Sequence, residues 1–118
     1  MEVQIFGTRK CPDTRKAQRF FAERRVKAHF VDLQQRPASP GELRRFVERF
    51  GLDRLIDREG RRYLEQGLAH AHLSEARWLE RLSADPLLLR TPLVRRKQHL
   101  TIGFAPDTWN AWIAEEKS

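Results

Sequence analysis

The stretch Val3-Gln4-Ile5-Phe6-Gly7-Thr8-Arg9-Lys10-Cys11-Pro12-Asp13-Thr14-Arg15-Lys16 passes from a strand into a helix, and that passage sets the fold. Val3, Ile5 and Phe6 read as a short apolar strand closed by Gly7. From Asp13 to about Arg25 the period becomes helical, with Ala17, Phe20 and Phe21 on one face and charges on the other. A second strand is expected over Ala28 to Leu33, carried by Phe30, Val31 and Leu33, before a loop from Gln34 to Ala38. A strand-helix-strand start implies a parallel pair with a right-handed crossover.

Working outward, Ser39-Pro40-Gly41-Glu42 is a helix start: Ser39 caps, Pro40 suits the first helical position and Glu42 completes a capping box. Leu43, Phe46, Val47 and Phe50 follow at i, i+3, i+4 and i+7, so one face packs on a core until Gly51 ends the helix. Between Leu52 and Ser83 there is no strand signal. Leu55 and Ile56, then Tyr63, Leu64 and Leu68, then Trp78, Leu79 and Leu82 mark short helices, the last capped by Ser74. Strands are expected again at Pro86 to Leu89, Leu93 to Val94 and His99 to Ile102, the last two close enough in sequence to form a hairpin. Pro106 and Asp107 open a final helix with Trp109, Trp112 and Ile113 on one side. The class is α/β: a mixed sheet with helices on both faces and a helical insertion over about 40–83.

Length and composition agree with one domain over 1–118, since 118 residues at 40% hydrophobic content are enough to bury a core. No apolar run approaches a membrane span, and MEVQIFGTRK lacks the apolar stretch of a signal peptide. The expectation is a cytoplasmic protein with no membrane contact. Its single cysteine excludes an internal disulfide and suits a reducing compartment. A net charge of +7 admits an anionic substrate, an acidic partner or nucleic acid. The basic residues are scattered, at Arg24-Arg25, Arg44-Arg45, Arg61-Arg62 and Arg95-Arg96-Lys97, and no nucleic-acid motif is present. That pattern describes a solvated basic exterior better than a nucleic-acid surface.

Chemistry concentrates at Cys11. A side chain between the first strand and the first helix faces the positive helix end and its free N–H groups, with Arg9, Lys10, Arg15 and Lys16 adding charge. Thiols in such settings titrate at about 3.5–7.5 instead of about 8.5. The same N–H groups hold an oxyanion presented to the sulfur. Thr14 is placed to donate a hydrogen bond to that sulfur, against the plainer role of a satisfied first-turn hydroxyl. Asp13 competes for the helix end, or simply favours the helix start. No metal site is expected: His70-Ala71-His72 is the nearest approach to one, and a surface His-x-His is more often incidental.

The motif Cys11-Pro12-Asp13-Thr14-Arg15-Lys16 after a short strand resembles C-x-x-[CST]-R-K of the arsenate reductase and Spx family, which has a thioredoxin-like fold. The resemblance extends through the helical insertion, Pro86-Leu87-Leu88-Leu89-Arg90-Thr91-Pro92-Leu93-Val94, and Gly103-Phe104. It implies a cis Pro92 beside the active site and a cysteine that attacks arsenate, with the adduct resolved by glutathione and glutaredoxin. Spx regulators instead carry a second cysteine three positions on and bind RNA polymerase. Here that position is Thr14, which excludes the intramolecular switch. Arsenate reductases carry arginine just before the proline, where this chain has Thr91, with Arg90 one residue earlier. A second family arginine falls near Arg58, and a third is answered by Arg95, Arg96 or Lys97.

These residues define the expectation: a thiol-dependent oxidoreductase with Cys11 as nucleophile and Arg15 stabilising its thiolate. Thr14, Arg58, Arg90, Thr91 and Pro92 would bind substrate, arsenate or another oxidised thiol or oxyanion. No cofactor is bound, and glutathione is the co-substrate because no second cysteine resolves an adduct. The alternative is a non-enzymatic, Spx-like protein that docks on RNA polymerase or another partner.

Overall fold

The computed structural model of the chain describes residues 1–117. In chain order its elements are β1 (Glu2–Gly7), α1 (Pro12–Glu23), β2 (Lys27–Asp32), α2 (Pro40–Phe50), α3 (Leu52–Leu55), α4 (Arg61–Glu65), α5 (Glu75–Ala84), β3 (Leu93–Arg96), β4 (His99–Ile102) and α6 (Pro106–Lys117). Two short 3-10 turns lie at Leu68–His70 and Pro86–Leu88. None of the described helices is long and apolar enough to cross a membrane. The chain gathers into two compact units. One joins Met1–Asp32 to the segment from Thr91 onward, and the other is Leu33–Arg90.

The first unit holds the sheet, in strand order β2-β1-β3-β4. β1 and β2 run parallel, with Ile5 opposite Phe30. β1 and β3 are antiparallel, with Ile5 opposite Val94, and β3 and β4 close a hairpin with Val94 opposite Thr101. Val3, Ile5 and Val94 share one sheet face because strand side chains alternate. Against that face pack Ala17, Phe20 and Phe21 of α1 and Trp109 and Trp112 of α6. Phe21 and Trp109 are fully buried, their ring centroids 5.1 Å apart. The Trp109 indole N–H donates to the Thr101 hydroxyl at 2.8 Å, so its one polar atom is satisfied inside the core. Removing a ring of this kind costs about 3–5 kcal/mol.

Two turns in this unit place non-glycine residues at positive φ. α1 stops at Glu23, and Arg25 (φ 57) takes the left-handed position. The Val26 amide then returns to the Phe21 carbonyl at 2.9 Å and the Arg25 amide to that of Ala22 at 3.1 Å. This is the paired closure that satisfies the last carbonyls of a helix. In the hairpin, Lys97 (φ 54) opens the two-residue turn between Arg96 and His99, as tight hairpins require.

The second unit is helical. Leu43, Phe46 and Val47 of α2 are buried, as the spacing predicts, together with Leu55, Tyr63, Trp78, Leu79 and Leu82. The expected capping box is present: Ser39 Oγ accepts the Glu42 amide at 3.1 Å and Glu42 Oε1 accepts the Ser39 amide at 3.2 Å. Ser74 caps α5 by accepting the Arg77 amide at 3.2 Å. The strand expected at Pro86 to Leu89 is instead a 3-10 turn, with the Leu88 amide donating to Asp85 and the Leu89 amide to Pro86. Three successive leucines carry no alternation, and Pro86 suits the first position of a helical turn. Leu89 makes a single bridge to Ile56, framed by the Asp57 amide on the Leu88 carbonyl and the Arg90 amide on the Leu55 carbonyl, both at 2.9 Å.

Candidate functional site

The end of β1 delivers Cys11 to the start of α1 through one turn, in which the Cys11 amide donates to the Thr8 carbonyl at 3.2 Å. Cys11 is the N-cap residue (φ −73, ψ 118), and its carbonyl accepts the Arg15 amide at 3.2 Å. No side chain caps this helix end. Pro12 at the first helical position has no N–H, so the orphan donors are the amides of Asp13 and Thr14. They belong to the positive end of a 12-residue helix, beside a half-buried thiol.

The Cys11 thiol donates to the Thr91 carbonyl, Sγ to O 3.6 Å. The Thr91–Pro92 bond is cis, as the resemblance implies, and the buried Pro92 accepts the Gly103 amide on its carbonyl at 2.8 Å. Cys11 and Thr91 are thus brought into contact although eighty positions separate them. Of the neighbouring cations, Arg9 is engaged, its Nε 3.1 Å from an Asp32 carboxylate oxygen. Lys16 lies 4.0 Å from Asp13. Arg15 is exposed and has no ion pair among the described residues.

Thr14 departs from its expected role. It is fully buried, and its hydroxyl has no hydrogen-bond partner, so it does not donate to the sulfur. The cause is packing: the side chain lies down on Gly7, where an added Cβ would fall 2.6 Å from Thr14 Cγ2. Gly7, which the sequence shows only as a strand terminator, is the packing partner that receives the Thr14 side chain. Its signal was a glycine seven positions before a buried threonine, which only the fold reveals as a contact.

Arg58 and Arg90 belong to the helical unit. The Arg58 guanidinium is held on two sides, Nη1 donating to the Tyr63 hydroxyl at 2.8 Å and Nη2 to Asp53 Oδ1. Its pKa is raised, chiefly by the hydrogen bond to Asp53, against the lowering effect of burial. Arg90 is exposed, and its backbone amide is spent on Leu55. Among the three hairpin cations, Arg96 is buried, with Nη2 2.7 Å from Glu116 and Nη1 3.5 Å from Glu115. Arg95 Nε donates to the Lys97 carbonyl, and Lys97 stands exposed in the turn.

The model of the ArsC family matches residues 6–112. The uncharacterized protein YusI of Bacillus subtilis is 30% identical over 111 residues, 91% of this chain and 94% of that protein. The global transcriptional regulator Spx 2 of Oceanobacillus iheyensis is 25% identical, covering 91% of this chain and 80% of that protein. A solved structure described as a possible arsenate reductase from Streptococcus mutans UA159 superposes with a TM-score of 0.80 at 21% identity, over 92% of this chain and 97% of that one. The thioredoxin-like fold expected from the sequence is therefore present.

Proposed function

The chain belongs to the ArsC family, and from that premise we propose that it is a thiol-dependent oxidoreductase with Cys11 as its single nucleophile. The observation that supports this most is the open cap. Cys11 occupies the N-cap of α1 with no side-chain bond to the helix end, which leaves the Asp13 and Thr14 amide N–H groups without a side-chain cap. A sulfur anion there accepts the hydrogen bonds that a serine cap would otherwise accept. Arg15 adds positive charge one turn on.

In the reaction proposed, the Cys11 thiolate attacks the sulfur of a glutathione mixed disulfide. A new S–S bond joins Cys11 to glutathione, and the substrate thiolate leaves and takes up a proton. A second glutathione thiolate then attacks the Cys11 adduct, releasing oxidised glutathione and restoring the Cys11 thiolate. The net change exchanges one disulfide for another: the substrate sulfur is reduced to a thiol, the incoming glutathione sulfur is oxidised, and the glutathione sulfur carried by the substrate stays at disulfide level, so one protein cysteine suffices. A thiolate cannot donate to the Thr91 carbonyl as the thiol does, so ionisation frees that carbonyl beside Pro92 for substrate. Glutaredoxin is the proposed protein reductant, and arsenate the alternative substrate. The anion roles that the resemblance gives Arg58 and Arg90 are proposals of their own, each tested by its glutamine variant.

The test is glutathione- and glutaredoxin-coupled turnover of a glutathionylated peptide, bis-hydroxyethyl disulfide and arsenate. Turnover by wild type and none by Cys11→Ser supports the reading. No turnover with any of the three, or equal turnover by both proteins, overturns it. The similarity to Spx 2 favours one second reading, a regulator that docks on RNA polymerase or another protein. That reading expects Cys11→Ser to keep its function.

A further inference from the structure

The two central residues of the turn that delivers Cys11 differ in how they are held. Arg9 and Lys10 lie between Thr8, whose carbonyl takes the Cys11 amide, and Cys11 itself. Lys10 is exposed and has no ion pair among the described residues. Arg9 donates from Nε to Asp32 Oδ2 at 3.1 Å, across twenty-three positions of chain. Asp32 ends β2 directly opposite Gly7, the last residue of β1. The pair therefore sits at the carboxyl ends of two parallel strands, the edge at which open α/β sheets place their reacting groups.

Exposed ion pairs contribute little to stability. This one is unequal: the Arg9 side chain is 73% exposed and that of Asp32 only 11%. An enclosed carboxylate is anchored by the strand that carries it and is costly to leave without a cation. The strand end is the fixed partner, and the turn is what the contact locates. On its other side the turn is held by the bond from the Cys11 thiol to the Thr91 carbonyl. That bond needs the thiol proton and is lost when Cys11 ionises. Arg9 on Asp32 is then the polar side-chain contact that remains between turn and sheet, among the described residues.

We propose that Asp32 is a positioning residue: through Arg9 it clasps the turn from Thr8 to Cys11, so that the Cys11 thiolate stays at the start of α1. This rests on the thiol-exchange reading of Cys11 and adds to that site a residue outside its motif. Charge alone gives a different expectation. A cation near a thiolate favours it and a carboxylate disfavours it, so losing the Arg9 charge would slow Cys11 and losing that of Asp32 would speed it. A clasp is broken by either loss, and both slow the thiol.

The experiment follows alkylation of Cys11 by iodoacetamide as a function of pH in the full-length protein. Asp32→Asn and Arg9→Gln should each slow it about tenfold near neutral pH and move the profile to higher pH. The double variant should be no slower than the worse single one, because one contact is lost in all three. Arg9→Lys keeps a cation for Asp32 and should restore most of the rate. Lys10→Gln removes the same charge from the same turn and should have the smaller effect. Hydrogen exchange of the Cys11 amide, which donates to Thr8, should quicken in Asp32→Asn. Arg9 is exposed, so Arg9→Gln keeps the test open should Asp32→Asn fail to fold. Faster alkylation of Asp32→Asn, a wild-type rate in Arg9→Gln, additive losses in the double variant, or a larger loss in Lys10→Gln overturns the proposal. Exchange of the wild type with bis-hydroxyethyl disulfide separates the two readings. Its absence beside slowed alkylation of the variants sinks the thiol-exchange reading alone, whereas exchange with unchanged variants sinks the clasp alone.

Discussion

α1 and α2 start in nearly the same way and end up opposite in purpose. Each has an extended N-cap residue followed by proline, Cys11-Pro12 at φ −73 and Ser39-Pro40 at φ −71. At α2 the cap is closed, since Ser39 and Glu42 satisfy each other's amides. At α1 it is open: the cap residue carries sulfur, makes no bond to the helix end, and turns to the Thr91 carbonyl. A helix end whose cap side chain accepts one of its amides, as Ser39 accepts that of Glu42, commits that donor to stability. One whose donors are left free can hold an anion, here the charged form of its own cap residue.

Exchanging the caps tests this most severely. Cys11→Ser should abolish thiol exchange and at the same time raise stability by up to about 1 kcal/mol, because serine caps as Ser39 does. Turnover and a thermal melt on the same sample decide it. A destabilised Cys11→Ser would mean that the sulfur already serves as the cap. Next in size is Gly7→Ala, which drives a methyl group into Thr14. Overpacking of this kind costs about 1–3 kcal/mol. In a double-mutant cycle by urea unfolding, Thr14→Ala should recover most of the loss. Additive losses would show that Gly7 matters for another reason. Ser39→Ala opens the other cap and should cost about 1 kcal/mol with thiol exchange unchanged. A fall in exchange would break the division between the two helix ends.

Both helix starts were legible because a cap is a local device. The capping box and the Cys-Pro entry each lie within four residues, and the period of Leu43, Phe46 and Val47 reports a face without reference to any partner. The hairpin was legible for the same reason. The failures are non-local. Leu87, Leu88 and Leu89 are apolar in a strand or in a 3-10 turn, and the single bridge to Ile56 is fixed by packing some thirty positions away. The burial of Thr14 against Gly7 depends on how α1 lies over β1. Arg96 looked as free as Arg95 and Lys97 until α6 brought two glutamates to it.

That last contact supplies the smallest prediction and a control for the comparison, because it ties down polar groups far in sequence from either cap. The Glu116 carboxyl is held below its ordinary value of 4.5, first by the hydrogen bond from Arg96 and then by the charge of the N-terminal amine. Burial opposes that shift. A carboxyl with a lowered folded pKa adds stability that is present above its unfolded value and lost as pH falls through the folded one. The melting temperature should therefore drop a little more steeply below about pH 4.5 in wild type than in Glu116→Gln. Glu116 is well exposed, so salt should shrink the difference. Arg96 is buried and its Nε has no partner, so Glu116→Gln should also loosen α6, seen as faster amide exchange around Trp112. Thiol exchange at Cys11 should not move. If it does, the open cap of α1 senses the far end of its unit, and the contrast with α2 is not one of local chemistry alone.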